Sequence, residues 1–172
     1  MADLEREFED RLRESSALAV RVAFSVVRQR QDAEDIAQEA FARAYRRFAT
    51  LRDPARFRGW IVRVTWRLAI DRWRAERRRS AREESASAAP PAIDTEELVL
   101  ASRRAARLWD AIDSLPEKLR IVIVLSAIEE HDVREVAALL QIPEGTVKSR
   151  LFLARKALAG KLQCLANDST RR

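Results

Sequence analysis

Between Pro143 and Arg172 the chain has seven basic residues against two acidic ones, and GTVKSRLFLARKAL sets Lys148, Arg150, Arg155 and Lys156 around the aromatic Phe152. Side chains of this kind break no bonds. They neutralise phosphates and donate hydrogen bonds to base edges, which is the chemistry of nucleic-acid contact. A second cluster lies upstream: Arg56 to Arg79 holds nine arginines and two acidic residues, interleaved with Trp60, Trp66 and Trp73. This cluster has two readings. Either the tryptophans pack in a core while the arginines keep the surface solvated, or indole faces and guanidiniums together form a surface for unstacked bases and their phosphates.

Other chemistries find no support. His131 is the only histidine and Cys164 the only cysteine, which excludes an internal disulfide and any His/Cys cluster of zinc-ligand spacing. There is no nucleophile with a base partner and no phosphate-binding glycine loop, so no catalytic residue, metal site or cofactor is expected. Cys164 reads as an ordinary helix-face thiol and His131 as a surface residue ahead of a helix start. No apolar run reaches membrane-spanning length, and MADLEREFEDRLRE is too charged for a secretory signal; a cytoplasmic protein without stable membrane insertion is expected.

The net charge of +6 matters less than its distribution. Met1 to Ala55 is nearly balanced, the arginine cluster is strongly positive, and Ser80 to Leu98 holds five acidic residues against one basic. Val99 to Ile142 is again near balance, and the carboxyl-terminal stretch is positive. Two basic blocks separated by an acidic one suit two separate contacts with a polyanion. The acidic block, SAREESASAAPPAIDTEE, reads as a flexible linker, because Pro90-Pro91 excludes a continuous helix. With three glycines in 172 residues and 47% hydrophobic content, an all-α fold is expected. Its organisation is two small helical domains, 1–79 and 99–172, joined by the linker 80–98.

The elements that must position the two clusters follow from periodicity. A first helix spans about Leu4 to Arg28. Asp32 can cap a second, where Ile36, Ala40, Phe41, Ala44 and Phe48 form the core stripe and leave Asp35, Gln38, Glu39 and Arg43 off it, the Asp, Gln and Glu side chains free for solvent or a partner. A third helix starts after Asp53-Pro54 and runs to about Arg79, with Phe57, Ile61, Val64 and Leu68 inward. Trp60, Arg63, Arg67 and Arg74 follow roughly one other face. Beyond the linker a helix ends near Asp113. Ser114 and Glu117 fit a capping box, and IVIVL, although rich in β-branched residues, reads as a buried helix.

Asp132 and Glu135 fit a second capping box, and QIPEG interrupts the pattern before a last helix with Val147, Leu151, Ala154 and Leu158 inward. Thr146, Lys148, Ser149, Phe152, Arg155 and Lys156 lie on its other faces. Two short helices about a tight break are a helix-turn-helix, whose second helix enters the major groove. The plainer alternative is an amphipathic surface helix with cations near its carboxyl end.

Taken in order, DAEDIAQEAFARAYRRF, FRGWIVRVTWRLAIDRWR, SLPEKLRIVIVL and VREVAALLQIPEGTVKSRLFLARKAL resemble the successive signatures of bacterial extracytoplasmic-function sigma factors. The resemblance implies a transcription initiation factor that brings core RNA polymerase to promoters. It gives Asp35, Gln38 and Glu39 to the polymerase clamp helices. It gives Arg56, Trp60, Arg63, Arg67 and Arg74, with the preceding ATLRDPARF loop, to melting of the minus-ten element, and it threads the acidic linker toward the polymerase channel. It gives Thr146, Lys148, Ser149, Arg150, Phe152, Arg155 and Lys156 to the minus-thirty-five duplex, and it implies sequestration by an anti-sigma factor.

Three positions depart from the pattern: Arg67 where Asn is frequent, Leu153 where a basic residue is frequent, and Gln141 where Gly is frequent in the turn. A positive backbone angle at Gln141 would cost about 1 kcal/mol. Two alternatives remain at this level. A sigma-like decoy would bind a regulator without initiating transcription, and a stand-alone repressor would bind duplex DNA without polymerase.

Overall fold

The computed structural model describes residues 2–48, 53, 56–83 and 96–170, with side chains over 5–48, 53, 56–80 and 105–163. Every regular element among them is helical: α1 Ala2–Val27, α2 Arg30–Phe48, α3 Phe57–Glu83, α4 Glu96–Asp113, α5 Glu117–Ile123, α6 Val133–Leu140 and α7 Glu144–Thr170. A π-helical turn, Val124–Ile128, prolongs α5. Pro90-Pro91 and most of the expected linker lie outside the described residues.

Local chemistry explains most boundaries. Arg28 breaks α1 in the left-handed region at φ 56, with its amide bonded to the Phe24 carbonyl at 2.9 Å. Asp32 is not the cap of α2; it sits inside the first turn, where a carboxylate favours the helix dipole, and its Oδ1 accepts from Arg72 at 2.8 Å. The Ser114–Glu117 capping box does not form either. Ser114 Oγ turns back to the Ala111 carbonyl at 2.6 Å, Glu117 pairs with Arg74 at 3.1 Å, and Pro116 opens α5 without a side-chain cap. The IVIVL run is helical as expected, and Ile121 to Leu125 are all buried, which is why it lacks a polar face.

α1, α2 and α3 pack against one another, and α4, α5 and α6 each lean on α7. The expected stripe of α3 holds for Phe57 and Ile61, whereas Val64 and Leu68 are only half-buried. The fully buried line runs through Ile61, Val62, Thr65, Trp66, Ala69 and Ile70. The reason is that α3 meets α1 and α2 on one side and α6 on another, so one stripe cannot serve every neighbour. Phe8, Phe48 and Phe57 meet edge to face at 5.2 to 5.9 Å beside Phe41 and Ile61. A larger cluster runs without interruption from Val22, Val26 and Trp66 to Leu125, Leu140 and Leu151.

The helix-turn-helix is built by local bonds. Glu135 N donates to Asp132 Oδ1 at 2.8 Å and Asp132 N donates to Glu135 Oε2 at 2.9 Å, closing the expected capping box. α6 ends at Gln141, which takes the left-handed conformation (φ 55, ψ 48) while Ile142 N bonds the Ala137 carbonyl at 3.1 Å. Gln141→Gly is therefore expected to stabilise the chain by about 0.5–1 kcal/mol, less the entropy glycine regains when unfolded. Urea denaturation checks it; a lower midpoint than the parent would mean that the Gln141 side chain holds the turn.

Candidate nucleic-acid interface

α7 is sided as the sequence requires. Val147, Leu151, Ala154 and Leu158 are buried, while Lys148, Ser149, Phe152, Arg155 and Lys156 are exposed and Thr146 and Arg150 half-buried. Phe152 is 67% exposed, a large apolar cost in water that base or methyl contact would relieve. Lys148, Phe152, Arg155 and Lys156 border one shallow cavity of about 560 Å³ beside Asp132 and Val133. Ser149 Oγ donates to the Thr146 carbonyl at 3.0 Å, which fixes its orientation on the exposed face. Leu153 faces elsewhere, over an apolar groove with Pro116, Leu119 and Ala157.

The upstream cluster divides. Trp66 is core, at 3% exposure. Trp73 is half-buried between the guanidiniums of Arg77 and Arg120, at 5.1 and 4.8 Å from its ring. Trp60, Arg63 and Arg67 instead line a cavity of about 550 Å³ together with Val64 and with Arg43, Arg46 and Arg47 from α2. Five guanidiniums around one indole suit an unstacked base and its phosphates. Burial pushes the Arg63 guanidinium below its ordinary value, yet an arginine remains charged. Arg56 and Arg74 lie outside this cavity: Arg56 pairs with Asp53 at 3.0 Å and Arg74 with Glu117.

Arg46 and Arg47 are additions that the sequence reading missed, and Arg43, read only as lying off the core stripe, joins them at the cavity. Their i, i+3, i+4 spacing at the end of α2 puts them on one face, a signal hidden because the charge of the first 55 residues balances overall. Asp35, Gln38 and Glu39 form an exposed polar ridge on α2, opposite the buried Ile36, Ala37, Ala40 and Phe41. Gln31 donates to Asp35 at 3.2 Å and Arg43 to Glu39 at 2.6 Å, so the ridge is ordered along its length.

The two cationic surfaces are joined by a polar seam. Arg28 grips both Asp113 oxygens at 2.7 Å and stacks on Trp109 at 4.5 Å. Asp113 also faces Arg120 at 3.8 Å, and Arg120 donates to the carbonyls of Asp113 and Leu115. Burial lowers the Arg120 pKa, and the charges of Asp113 and Glu117 oppose that shift. Arg21 meets Glu129 at 2.6 Å across the same seam. His131, expected at the surface, has a side chain only 10% exposed and sits 3.3 Å from Glu135 in a cavity shared with Arg56, Arg58 and Gly59.

A helix-turn-helix with an exposed cationic reading face, packed on a helical unit with a guanidinium-lined aromatic cavity, defines an all-helical DNA-binding protein. Residues 12–79 match the family model Sigma-70 region 2, and residues 105–158 match Sigma-70, region 4. Among curated relatives, the ECF RNA polymerase sigma-E factor of Escherichia coli (strain K12) is 33% identical over 144 residues, covering 78% of this chain and 75% of its own length. The ECF RNA polymerase sigma factor SigE of Mycolicibacterium smegmatis is 33% identical over 154 residues, covering 88% of this chain and 60% of its own.

Two solved structures share the fold. CnrH in complex with the cytosolic domain of CnrY superposes with a TM-score of 0.63 at 24% identity, covering 93% of this chain and 90% of CnrH. The sigma factor RpoE in complex with the anti-sigma factor NepR from Bartonella quintana gives 0.54 at 18% identity, covering 92% of this chain and 98% of RpoE. The chain belongs to the ECF RNA polymerase sigma factor family, and its function is that of a promoter-directing transcription initiation factor. Among the described residues no helix is long and apolar enough to cross a membrane.

Proposed function

We propose that this sigma factor divides its work between two domains, 1–79 and 99–172, each with its own face toward promoter DNA. The α7 surface of Thr146, Lys148, Ser149, Arg150, Phe152, Arg155 and Lys156 reads the minus-thirty-five element as duplex. The α3 surface of Trp60, Arg63 and Arg67 takes an extruded nontemplate base at the minus-ten element, where unstacking costs a few kcal/mol that stacking and phosphate contacts offset. Arg56 and Arg74 act on the flanking phosphates. Arg43, Arg46 and Arg47 extend that surface from α2.

The observation that carries this reading is the cavity that gathers Trp60, Arg63 and Arg67 with the α2 arginines, on the same chain as a helix-turn-helix with an exposed cationic face. Core RNA polymerase docks on the ridge of Asp35, Gln38 and Glu39. The chain performs no catalysis of its own and works in the cytoplasm. An anti-sigma factor is its natural regulator. The apolar groove of Pro116, Leu119, Leu153 and Ala157, about 1000 Å³ in volume, supports that partner as a seat for an amphipathic segment.

In vitro transcription with bacterial core polymerase and a pooled promoter library tests the division. The parent is expected to yield promoter-specific transcripts. Lys148→Ala/Arg150→Ala should lose them while retaining core binding, and Asp35→Ala/Gln38→Ala should lose them together with core binding. Core binding without any transcript from the parent would favour the decoy; tight duplex binding indifferent to polymerase would favour the repressor.

A further inference from the structure

The cavity between α2 and α3 is one-sided in its chemistry. Apart from Val64, every side chain that lines it among the described residues is an arginine or Trp60. A guanidinium carries five N–H donors and no acceptor, and an indole carries one donor and no acceptor. No lining side chain can therefore accept a hydrogen bond, and a group placed there is held by these side chains only through its own acceptors.

The arginines of the lining are not equivalent. Arg43 donates to Glu39 at 2.6 Å, and Arg63 donates through Nη1 to the Leu139 carbonyl at 2.8 Å. Arg67 is exposed and meets no acceptor among the described residues. It shares one face of α3 with Trp60, Arg63 and Val64, at positions i, i+3, i+4 and i+7. Two turns of helix separate Trp60 from Arg67, about 10 Å along the axis, so a base stacked on the indole can turn one edge toward the Arg67 fork. On α2, Arg46 is likewise exposed and uncommitted, and is left for the phosphate.

We propose that Arg67 selects guanine as the base taken into this cavity, bonding O6 and N7 with the two arms of its fork. This rests on the minus-ten role of α3 given above. An extruded base exposes all its edges, and a fork of two parallel donors needs two acceptors side by side. Guanine offers O6 and N7 together, and its N1–H and N2 amine lie on the adjoining edge, outside the fork. Adenine sets its N6 amine beside N7, and thymine sets N3–H between O2 and O4, so each gives the fork a single acceptor. Cytosine has N3 next to O2 but carries its N4 amine on the same edge, where no lining side chain can receive it. Guanine is therefore first in order, cytosine second, and adenine and thymine last.

The test uses holoenzyme assembled from the full chain and bacterial core polymerase. Its template is a promoter that the parent transcribes, premelted over the minus-ten element with the nontemplate strand randomised there, and the retained DNA is sequenced. One position is expected to favour guanine over adenine by about tenfold. Arg67→Gln, whose amide matches N6 and N7 of adenine, should turn that position to adenine and leave the others alone, and Arg67→Ala should erase the preference. At the same position deoxyinosine, which keeps O6 and N7, should bind as guanine does, whereas 7-deazaguanine should bind about tenfold more weakly. Trp60→Ala should weaken binding whatever the base. If Arg67→Gln leaves every position as in the parent while Trp60→Ala still weakens binding, the cavity takes the strand without Arg67 reading it, and the selection is overturned. An equal loss on all sequences in Arg67→Ala, with a flatter salt dependence, assigns Arg67 to a phosphate and overturns it too. Trp60→Ala and Arg67→Ala both keeping the parent's affinity and base preferences would remove the minus-ten strand from the cavity, and this inference with it.

Discussion

Asp113→Ala is expected to lower the unfolding free energy by about 3–5 kcal/mol, because it strips the carboxylate from two guanidiniums that folding has removed from water. The side chain of Asp113 is 9% exposed and that of Arg120 only 7%, so little solvent remains to take over the charge. Arg28, at 31%, regains water more readily, and most of the loss therefore arises at Arg120. Urea denaturation should show a lower midpoint with nearly the same slope. Adding Arg120→Met to Asp113→Ala should recover more than half of the loss, since an apolar side chain of similar length packs under Trp73 without a counter-ion. A loss below about 1 kcal/mol would mean that the carboxylate is solvated and the seam is not formed in solution.

The other large effect concerns the reading face. Lys148→Ala/Arg155→Ala is expected to abolish useful binding to the minus-thirty-five duplex, with a loss of about 2–6 kcal/mol if both side chains make base-edge bonds. The salt dependence tells which kind of contact was lost. Each phosphate contact removed should flatten the slope of log K against log salt by about one, with an equal loss on unrelated duplexes. Base-edge contacts leave the slope nearly unchanged and remove preference for the selected sequence. The experiment selects a duplex from a random library with the parent and titrates both proteins between low and moderate salt. Equal affinities at every salt concentration would remove α7 from the interface.

The helix-turn-helix was legible in the sequence because its determinants are local. The Asp132–Glu135 box lies within one turn, and the Val147, Leu151, Ala154, Leu158 stripe faces a single packed side. The third helix was legible only in part, because its neighbours on two sides bury Val62, Thr65 and Trp66, which a one-stripe reading leaves out. Ser114 misled as a cap since its hydroxyl had a nearer acceptor on the helix just ended. The seam was not readable at all. Arg28 and Asp113 are 85 residues apart, Arg21 and Glu129 are 108 apart, and no periodicity links such partners. The α2 arginines carried a readable spacing, but only the fold brings them to Trp60.

The stacking of guanidiniums on indoles has an optical consequence. Of the four tryptophans, Trp73 meets Arg120 and Trp109 meets Arg28, so each of these rings is pressed against a cation from the opposite side of the seam. Separation of the two halves would withdraw Arg120 from Trp73 and Arg28 from Trp109 together and admit water to both indoles. The intrinsic emission of the chain is therefore a label-free gauge of the contact between its halves.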